Sequence, residues 1–129
     1  MKPFSTFNKT LSLSILLTLS ILVYSCKKAG LGGKSTIEGT AYHHAKPIPF
    51  TTVYIKYGAT SFPGTDVSNY DNHVTADTNA HFAFTGLQAG NYYLYGVGYD
   101  YAIFGQVTGG IGVSVKKSKT LTTNLPVTE

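Results

Sequence analysis

Apolar and polar residues alternate with a period of two along most of the chain after residue 35. This period is typical of strands that bury one face, because successive side chains of a strand point to opposite sides of the sheet. No stretch of this region has the longer period that an amphipathic helix of normal length requires. The pattern predicts strands over 36–42, 50–57, 73–76, 82–85, 91–99, 101–107, 112–115 and 120–127.

The stretch 77–95 holds the clearest turn and the clearest strand of the sequence. Residues 77–80 include Asp, Thr and Asn, which are common in turns, and we expect Asn79 to adopt the left-handed conformation there. Phe82 and Phe84 follow at alternate positions, as in a half-buried strand. Both phenylalanines are therefore predicted to belong to the core.

A second feature of this stretch is the pattern L-x-x-G-x-Y, formed by Leu87, Gly90 and Tyr92. The spacing suits a tyrosine corner, in which the ring packs under the turn it has just left. The hydroxyl of such a tyrosine reaches an upstream backbone group. We therefore expect these three residues to be structural and to join two sheets.

Composition indicates the same fold class. Ten Tyr, seven Phe and 14 Gly occur among 129 residues, and long runs of helix-forming residues are missing after residue 26. A chain of this length has room for one domain. Turn signals recur at the spacing of about 8 to 12 residues that is typical of sandwiches. The predicted fold is all-β, a single Greek-key-type β-sandwich of about seven strands.

The net charge of +4 does not describe the predicted domain. Five lysines precede Thr36, whereas five lysines and six acidic residues follow it, so the domain is close to neutral. All ten basic residues are lysines, and the bidentate contact that Arg makes with phosphate or guanine is missing. No nucleic-acid partner is expected.

The first 25 residues have the organisation of a secretory signal peptide. Lys2 and Lys9 precede the uncharged, leucine-rich stretch 10–25. This stretch is shorter and more polar than the run of about 20 apolar residues that spans a bilayer. Residues 1–25 are therefore predicted to direct export.

The end of this segment, Leu22-Val23-Tyr24-Ser25-Cys26, resembles the lipobox of bacterial lipoproteins. The resemblance implies cleavage after Ser25 and acylation of Cys26, and hence a membrane partner through a lipid anchor. Cys26 is the only cysteine, so no disulfide within the chain competes for its thiol. The alternatives are an ordinary signal peptide beside a chance cysteine and an uncleaved anchor.

Residues 26–35 are predicted to comprise the lipidated cysteine and a flexible tether, because 27–35 is rich in Gly and Lys without apolar periodicity. Lys27 is not the aspartate that retains lipoproteins in the inner membrane of enterobacteria. The acidic residues that direct some lipoproteins to the cell surface are also missing here. The expected address is the outer membrane, facing the periplasm, and the alternative is exposure at the cell surface.

Four segments, 38–41, 46–55, 77–84 and 87–92, resemble the carboxypeptidase-regulatory-like, transthyretin-related β-sandwich domain. The resemblance implies a prealbumin-like domain over residues 36–129. The family usually has glycine in the turn before the F-x-F strand, where this chain has Ala80. Such domains are accessory modules of enzymes, receptors and adhesins, so the resemblance indicates a fold and no activity.

Histidine supplies one set of candidate ligands. His43, His44, His73 and His81, together with Asp77, could bind zinc or copper, since imidazole and carboxylate suit these metals. His43 and His44 are adjacent and would point to opposite faces of a strand, so only loop geometry could bring them together. The alternative is that all four histidines are exposed loop and strand residues.

Tyrosine supplies the other candidate site. Tyr70, Tyr93 and Tyr95 could form an exposed aromatic face beside the long loop 58–72. Further tyrosines that could belong to this face are Tyr42, Tyr54, Tyr99 and Tyr101. Such a face suits a glycan or a partner protein. The alternative is sheet packing, since Tyr fits a pleated, half-buried surface well.

No catalytic motif is present in the sequence, neither G-x-S-x-G nor a zinc-protease pattern. The predicted function is a non-enzymatic, lipid-anchored envelope module without a cofactor. It binds or supports another envelope protein or a glycan. The alternative is a periplasmic lipoprotein that binds zinc or copper through the His and Asp residues.

Overall fold

The computed structural model describes residues 28–129, and the predicted signal peptide, Cys26 and Lys27 lie outside this range. Within it, no helix is long and apolar enough to cross a membrane. A single 3-10 turn, Val67–Asn69, lies in the loop between the third and fourth strands. The strands are β1 (Leu31–His43), β2 (Lys46–Pro47), β3 (Thr52–Tyr57), β4 (Asn72–Thr75), β5 (His81–Leu87), β6 (Gly90–Asp100), β7 (Gly105–Val115) and β8 (Thr120–Pro126).

These eight strands form two four-stranded sheets. In the first sheet β1 lies between β5, which is antiparallel to it, and β8, which is parallel, while β2 pairs with the end of β1. The second sheet has the antiparallel order β4-β3-β6-β7. Thr108 and Thr128 exchange two backbone hydrogen bonds of 2.8 Å, which connect the edges of the sheets. The prediction of an all-β sandwich is confirmed. The end of the predicted strand 101–107 and the whole of 112–115 fall in the single strand β7, and the short β2, which was not predicted, makes the strand count eight.

The core lies between the sheets, where alternate side chains of each strand point inward. On β1 every second residue from Ser35 to His43 is buried, and on β6 Tyr92 and Leu94 are completely buried. Burying one large apolar side chain stabilises the fold by about 1.5–3 kcal/mol. The buried members of the main cluster are Ile37, Val53, Ile55, Ala76, Phe82, Phe84, Leu87, Tyr92, Leu94, Val115 and Leu125.

Strand β1 begins at Leu31, five residues before the predicted start, so 31–35 is not a flexible tether. Leu31 and Ser35 both pair with Leu87, with a bulge between them. Gly33 makes this close pairing possible, because a Cβ at this position would lie 2.0 Å from the Leu87 carbonyl oxygen. A glycine-rich stretch has no side-chain alternation, which explains why its strand is not visible in the sequence.

The Tyr92 hydroxyl lies under the turn between β5 and β6. It donates a hydrogen bond of 2.7 Å to the Gln88 carbonyl, four residues upstream, the contact that defines a tyrosine corner. It also accepts a bond of 2.9 Å from the Gly30 N–H. Burial raises the pKa of Tyr92 above its ordinary value, so the phenol stays neutral and can make both bonds. The corner thereby fixes the chain just before β1 to the second sheet.

The turn before β5 is held by the Asp77 carboxylate. Its Oδ1 accepts hydrogen bonds from the Asn79 N–H at 2.8 Å and the His81 N–H at 2.9 Å. These two bonds lower the pKa of Asp77. The residue in the left-handed conformation is Ala80, with φ of 64°, and not Asn79. Ala80 is completely buried in this conformation.

Candidate functional site at the apex

The three tyrosines predicted to form a binding face do come together on the outer side of the second sheet. Tyr70 stacks on Tyr95 with ring centroids 5.6 Å apart, and Phe62 lies 5.9 Å from Tyr93 and 5.5 Å from Tyr95. Tyr95, however, is only 4% exposed. Tyr70 and Tyr93 are half-buried. The predicted face is therefore covered at its centre and not open to a ligand there.

The cover is the loop between β3 and β4, which folds back over the sheet. The Tyr70 hydroxyl donates to the Gly64 carbonyl at 2.9 Å, and Asp71 accepts a bond of 2.7 Å from the Tyr57 N–H. Burial, with smaller contributions from Tyr93 and Tyr95, raises the pKa of Tyr70 to about 12. The loop is thus part of the packed domain, and the sequence did not reveal which residues it covers.

Exposed apolar residues occur instead in the hairpin between β6 and β7. Residues 101–104, predicted to begin a strand, form a turn. Asp100 causes this turn, because its Oδ1 accepts a bond of 2.8 Å from the Ala102 N–H and its carbonyl accepts one of 3.3 Å from Ile103. Tyr101 is 75% exposed, Ile103 47% and Phe104 81%. The apolar sequence suggested a buried strand, but the structure exposes it.

Phe104 is also held in a disfavoured backbone conformation, with φ of 50°. Phe50, 62% exposed, has φ of 61°, which is why β3 begins at Thr52 and not at residue 50 as predicted. A bulky residue in the left-handed region costs about 1–2 kcal/mol. Pairing of Thr52 with Val97 places Phe50 at the same end of the sheet as Tyr99 and the hairpin. We call this end the apex; it comprises Phe50, residues 99–105 and the turn at 43–46.

The apex lies at the opposite end of the domain from the point where the chain enters it. Gly30 accepts a hydrogen bond of 2.7 Å from the Gln88 N–H, beside the first residue of β6, Gly90. The apex begins at the last residue of the same strand, Asp100. Eleven residues of strand span about 33 Å. The apex is therefore separated by about this distance from the end at which the chain enters the domain.

A buried polar network underlies the apex and was missed by sequence reasoning. Asp100 is 3% exposed, and its Oδ2 lies 2.8 Å from His43 Nδ1. Its Oδ1 accepts a bond of 3.0 Å from Lys46 Nζ. These bonds, together with the Ala102 N–H, hold the pKa of Asp100 well below its usual range. Asp100 thereby ties the β1–β2 turn of one sheet to the β6–β7 hairpin of the other. The only signal in the sequence is an Asp directly before a potential turn.

His43 continues the inward-facing row of β1 and is 3% exposed, although it was predicted to lie in a loop. The hydrogen bond with Asp100 is the main cause that raises the pKa of His43, against the effect of burial. Its other ring nitrogen, Nε2, lies 2.6 Å from Glu129 Oε2. The two atoms are close enough for an ion pair, but their alignment gives Nε2 no hydrogen-bond partner among residues 28–129.

The predicted metal ligands are only partly brought together. His44 lies in the turn after β1 with φ of 53°, which turns its ring to within 4.4 Å of the His43 ring. His73 packs 5.5 Å from Tyr54 on the second sheet, and His81 is exposed on β5. Asp77 holds its own turn. In the part of the chain that the structure describes, the side chains that could share one ion are His43, His44 and Glu129.

Comparison with known proteins supports the fold alone. No protein-family model matches the chain, and no curated protein matches it. A solved structure from Pseudomonas aeruginosa, described as a putative carbohydrate binding protein, is 16% identical with a TM-score of 0.53; the alignment covers 76% of this chain and 91% of that one. GBS52, the minor pilin of Streptococcus agalactiae, is 15% identical with a TM-score of 0.42, over 78% of this chain and 44% of that one. The first similarity shows a shared fold.

Proposed function

We propose that this chain is a non-enzymatic, lipid-anchored module of the cell envelope that binds another envelope component at its apex. The observation that carries the proposal is the side chain of Phe104, which is 81% exposed and held in the left-handed region. Exposure and backbone strain both act against folding, so a residue that combines them is a candidate for binding. Tyr101 and Ile103 extend the same apolar surface.

The anchor is proposed to be an acylated Cys26, on the basis of the lipobox-like residues 22–26. Lys28, the first described residue, lies at the end of the domain away from the apex. An anchor at that end leaves the apex directed into the compartment, which we propose is the periplasmic side of the outer membrane. The two-sheet fold and the Tyr92 corner support assignment of the domain to the carboxypeptidase-regulatory-like group.

A protein is the ligand class that the apex favours. Ile103 and Phe104 present exposed aliphatic and aromatic surface, as in the centre of protein interfaces. A glycan is the second class to be tested. The exposed ring of Tyr101 suits stacking on a sugar, and a protein of similar fold is described as a putative carbohydrate binding protein.

The test compares the full chain with a double variant, Tyr101→Ser with Phe104→Ser. An epitope inserted between Lys117 and Ser118, in the exposed turn at the opposite end, allows recovery from reversibly cross-linked cells. The control is Phe62→Ser, which removes an exposed aromatic ring of the loop instead. Isolated cell-wall glycan is tested in parallel with the same three proteins. Mass spectrometry of the recovered chain reports whether Cys26 is acylated.

The proposal predicts one envelope partner that is recovered with the full chain and the Phe62 variant but lost with the double variant. Loss of cell-wall glycan binding in the double variant would instead assign the apex to a glycan. Equal recovery of the same partners with all three proteins would show that the apex does not bind them. A chain with an unmodified Cys26 thiol would remove the anchor.

A further inference from the structure

Three side chains, those of His43 and His44 in the apex and of Glu129 beside it, place potential metal-ligand atoms close together. One ligand atom from each of His43, His44 and Glu129 lies within 4.8 Å of the other two. His43 is buried, whereas His44 and Glu129 are exposed. Two imidazoles and one carboxylate make up a ligand set found in zinc sites, and imidazole also suits copper.

The backbone explains why two adjacent histidines can act together. Successive residues of a strand point to opposite faces. His43 is the last residue of β1, and His44, the first residue of the turn, is left-handed with φ of 53°. This conformation costs about 1–2 kcal/mol in an L-residue other than Asn, Asp or Gly. It brings the two rings to 4.4 Å and so places them on the same side.

Asp100 prepares His43 for this role. Its carboxylate contacts Nδ1 at 2.8 Å and is itself fixed by Lys46 and the Ala102 N–H. Once Nε2 is deprotonated, a histidine that donates Nδ1–H to a carboxylate presents the lone pair of Nε2, the arrangement common behind metal-binding histidines. A metal ion would therefore take the place of the proton that Nε2 carries in an ion pair with Glu129. Nε2 is buried, has no hydrogen-bond partner among the described side chains and faces Glu129 Oε2 at 2.6 Å.

We propose that His43 Nε2, His44 and Glu129 bind one Zn²⁺ or Cu²⁺ ion at the apex. With bonds of about 2.0–2.1 Å in a tetrahedral site, neighbouring ligand atoms lie roughly 3.3 Å apart. The Glu129 side chain is 65% exposed, so its carboxylate can move from 2.6 Å to this distance from His43 Nε2. Three protein ligands leave the fourth position to water or to a donor group of a bound partner. This site does not depend on the proposal that Phe104 contacts a partner.

Of the three ligands, His44 also lines a shallow cavity of about 470 Å³, together with Tyr42, Asn124 and Thr128. A molecule that enters this cavity therefore comes into contact with His44. We therefore expect the ion to bridge the domain to an oxygen or nitrogen donor of another molecule.

The test is titration of the full, untagged chain in mild detergent with Zn²⁺ and with Cu²⁺, followed by calorimetry. His44→Ala and Glu129→Gln alter exposed residues and should leave the fold intact, as far-ultraviolet circular dichroism will show. The matched controls are His73→Ala and His81→Ala, which remove the exposed histidines outside the cluster. Asp100→Asn tests the positioning residue, with the ¹⁵N shifts of the His43 ring as a readout of its tautomer.

The proposal predicts one ion per chain and an affinity at least about tenfold lower in each of His44→Ala and Glu129→Gln, with unchanged affinity in both controls. Asp100→Asn should lower the affinity by about 10–100-fold and change the His43 tautomer. The proposal is overturned if neither ion binds at micromolar concentration, or if binding survives unchanged in His44→Ala and Glu129→Gln. Equal losses in the two control variants would also overturn it.

Discussion

At the scale of single residues, the apex contains several side chains whose conformations do not serve folding alone. Phe50, Phe104 and His44 all have positive φ, and all three are exposed. Ala80 also has positive φ, but its methyl group is buried in return. The exposed residues have no comparable gain from packing. Three of the four exposed non-glycine residues with positive φ thus lie at the end of the domain where we place the binding function, and the fourth, Ser118, lies in the turn at the opposite end.

Replacing Phe104 separates strain from exposure. Phe104→Gly is expected to raise the free energy of unfolding by about 1 kcal/mol, because glycine adopts the left-handed region without a steric cost. Phe104→Ala keeps the steric cost and should change stability by less than about 0.5 kcal/mol. Urea denaturation of the two variants measures both values. Equal stabilities for the Gly and Ala variants would show that the backbone at this position is not strained.

Asp77 gives a prediction for pH. Its pKa is lower in the folded chain than the ordinary 3.8, because the His81 and Asn79 N–H groups bond its carboxylate. The ionised carboxylate therefore stabilises the fold above that value, and the contribution is lost as pH falls through the lower folded-state pKa. The stability difference between the native chain and Asp77→Asn should be largest near neutral pH and shrink in acid. Denaturant titrations at several pH values measure it, and other carboxylates cancel in the difference. A difference that does not depend on pH would contradict the role assigned to this turn.

At the scale of elements, the long loop is more buried, and the β6–β7 hairpin more exposed, than their sequences suggest. The loop 58–71 is rich in turn residues but packs onto the second sheet and covers Tyr95. The hairpin is apolar but projects Tyr101 and Phe104 into solvent. Gly112 of β7 permits the packing of the loop, because the Thr60 carbonyl oxygen lies 2.3 Å from where a Cβ would be.

Gly112→Ala should therefore displace the loop from the sheet. We expect a loss of roughly 1–3 kcal/mol in the free energy of unfolding from this overpacking. The pKa of Tyr70 should fall from about 12 toward its ordinary 10.0 as the ring becomes hydrated. NMR titration of the tyrosine rings measures this change. Gly105→Ala is the control, since the nearest atom to its Cβ would be in the Ile103 side chain, at the ordinary contact distance of 3.4 Å. A Tyr70 that still titrates near 12 in Gly112→Ala would contradict the packing described.

The sequence predicts those parts of the structure that depend on local pattern. The alternation around Phe82 and Phe84 and the L-x-x-G-x-Y spacing at Tyr92 are local signals, and the corresponding elements lie in the sandwich. The Asp100–His43 contact joins residues 57 positions apart, and no pattern in either segment specifies the other. The start of β1 at Leu31 depends on a bulge opposite Leu87. Glycine permits this bulge, but a glycine in the sequence does not by itself predict one. Contacts between distant segments therefore set the limit of the prediction.

At the scale of the whole molecule, the two ends of the sandwich differ in chemistry. The end near Gly30 holds the tyrosine corner and the glycine-rich start of β1, which contribute structure. The apex holds exposed aromatic residues and the buried pair of Asp100 and His43. This difference fits the proposal that the domain is attached at one end and binds a partner at the other.

The most direct test of apex binding is site-specific photo-cross-linking in intact cells. A photoreactive amino acid replaces Phe104 at the apex, Phe62 on the loop or Lys117 in the turn at the opposite end. The account predicts that position 104 gives a discrete adduct with one envelope component, and that positions 62 and 117 do not. No adduct at position 104, or the same adducts from all three positions, would contradict the assignment of binding to the apex.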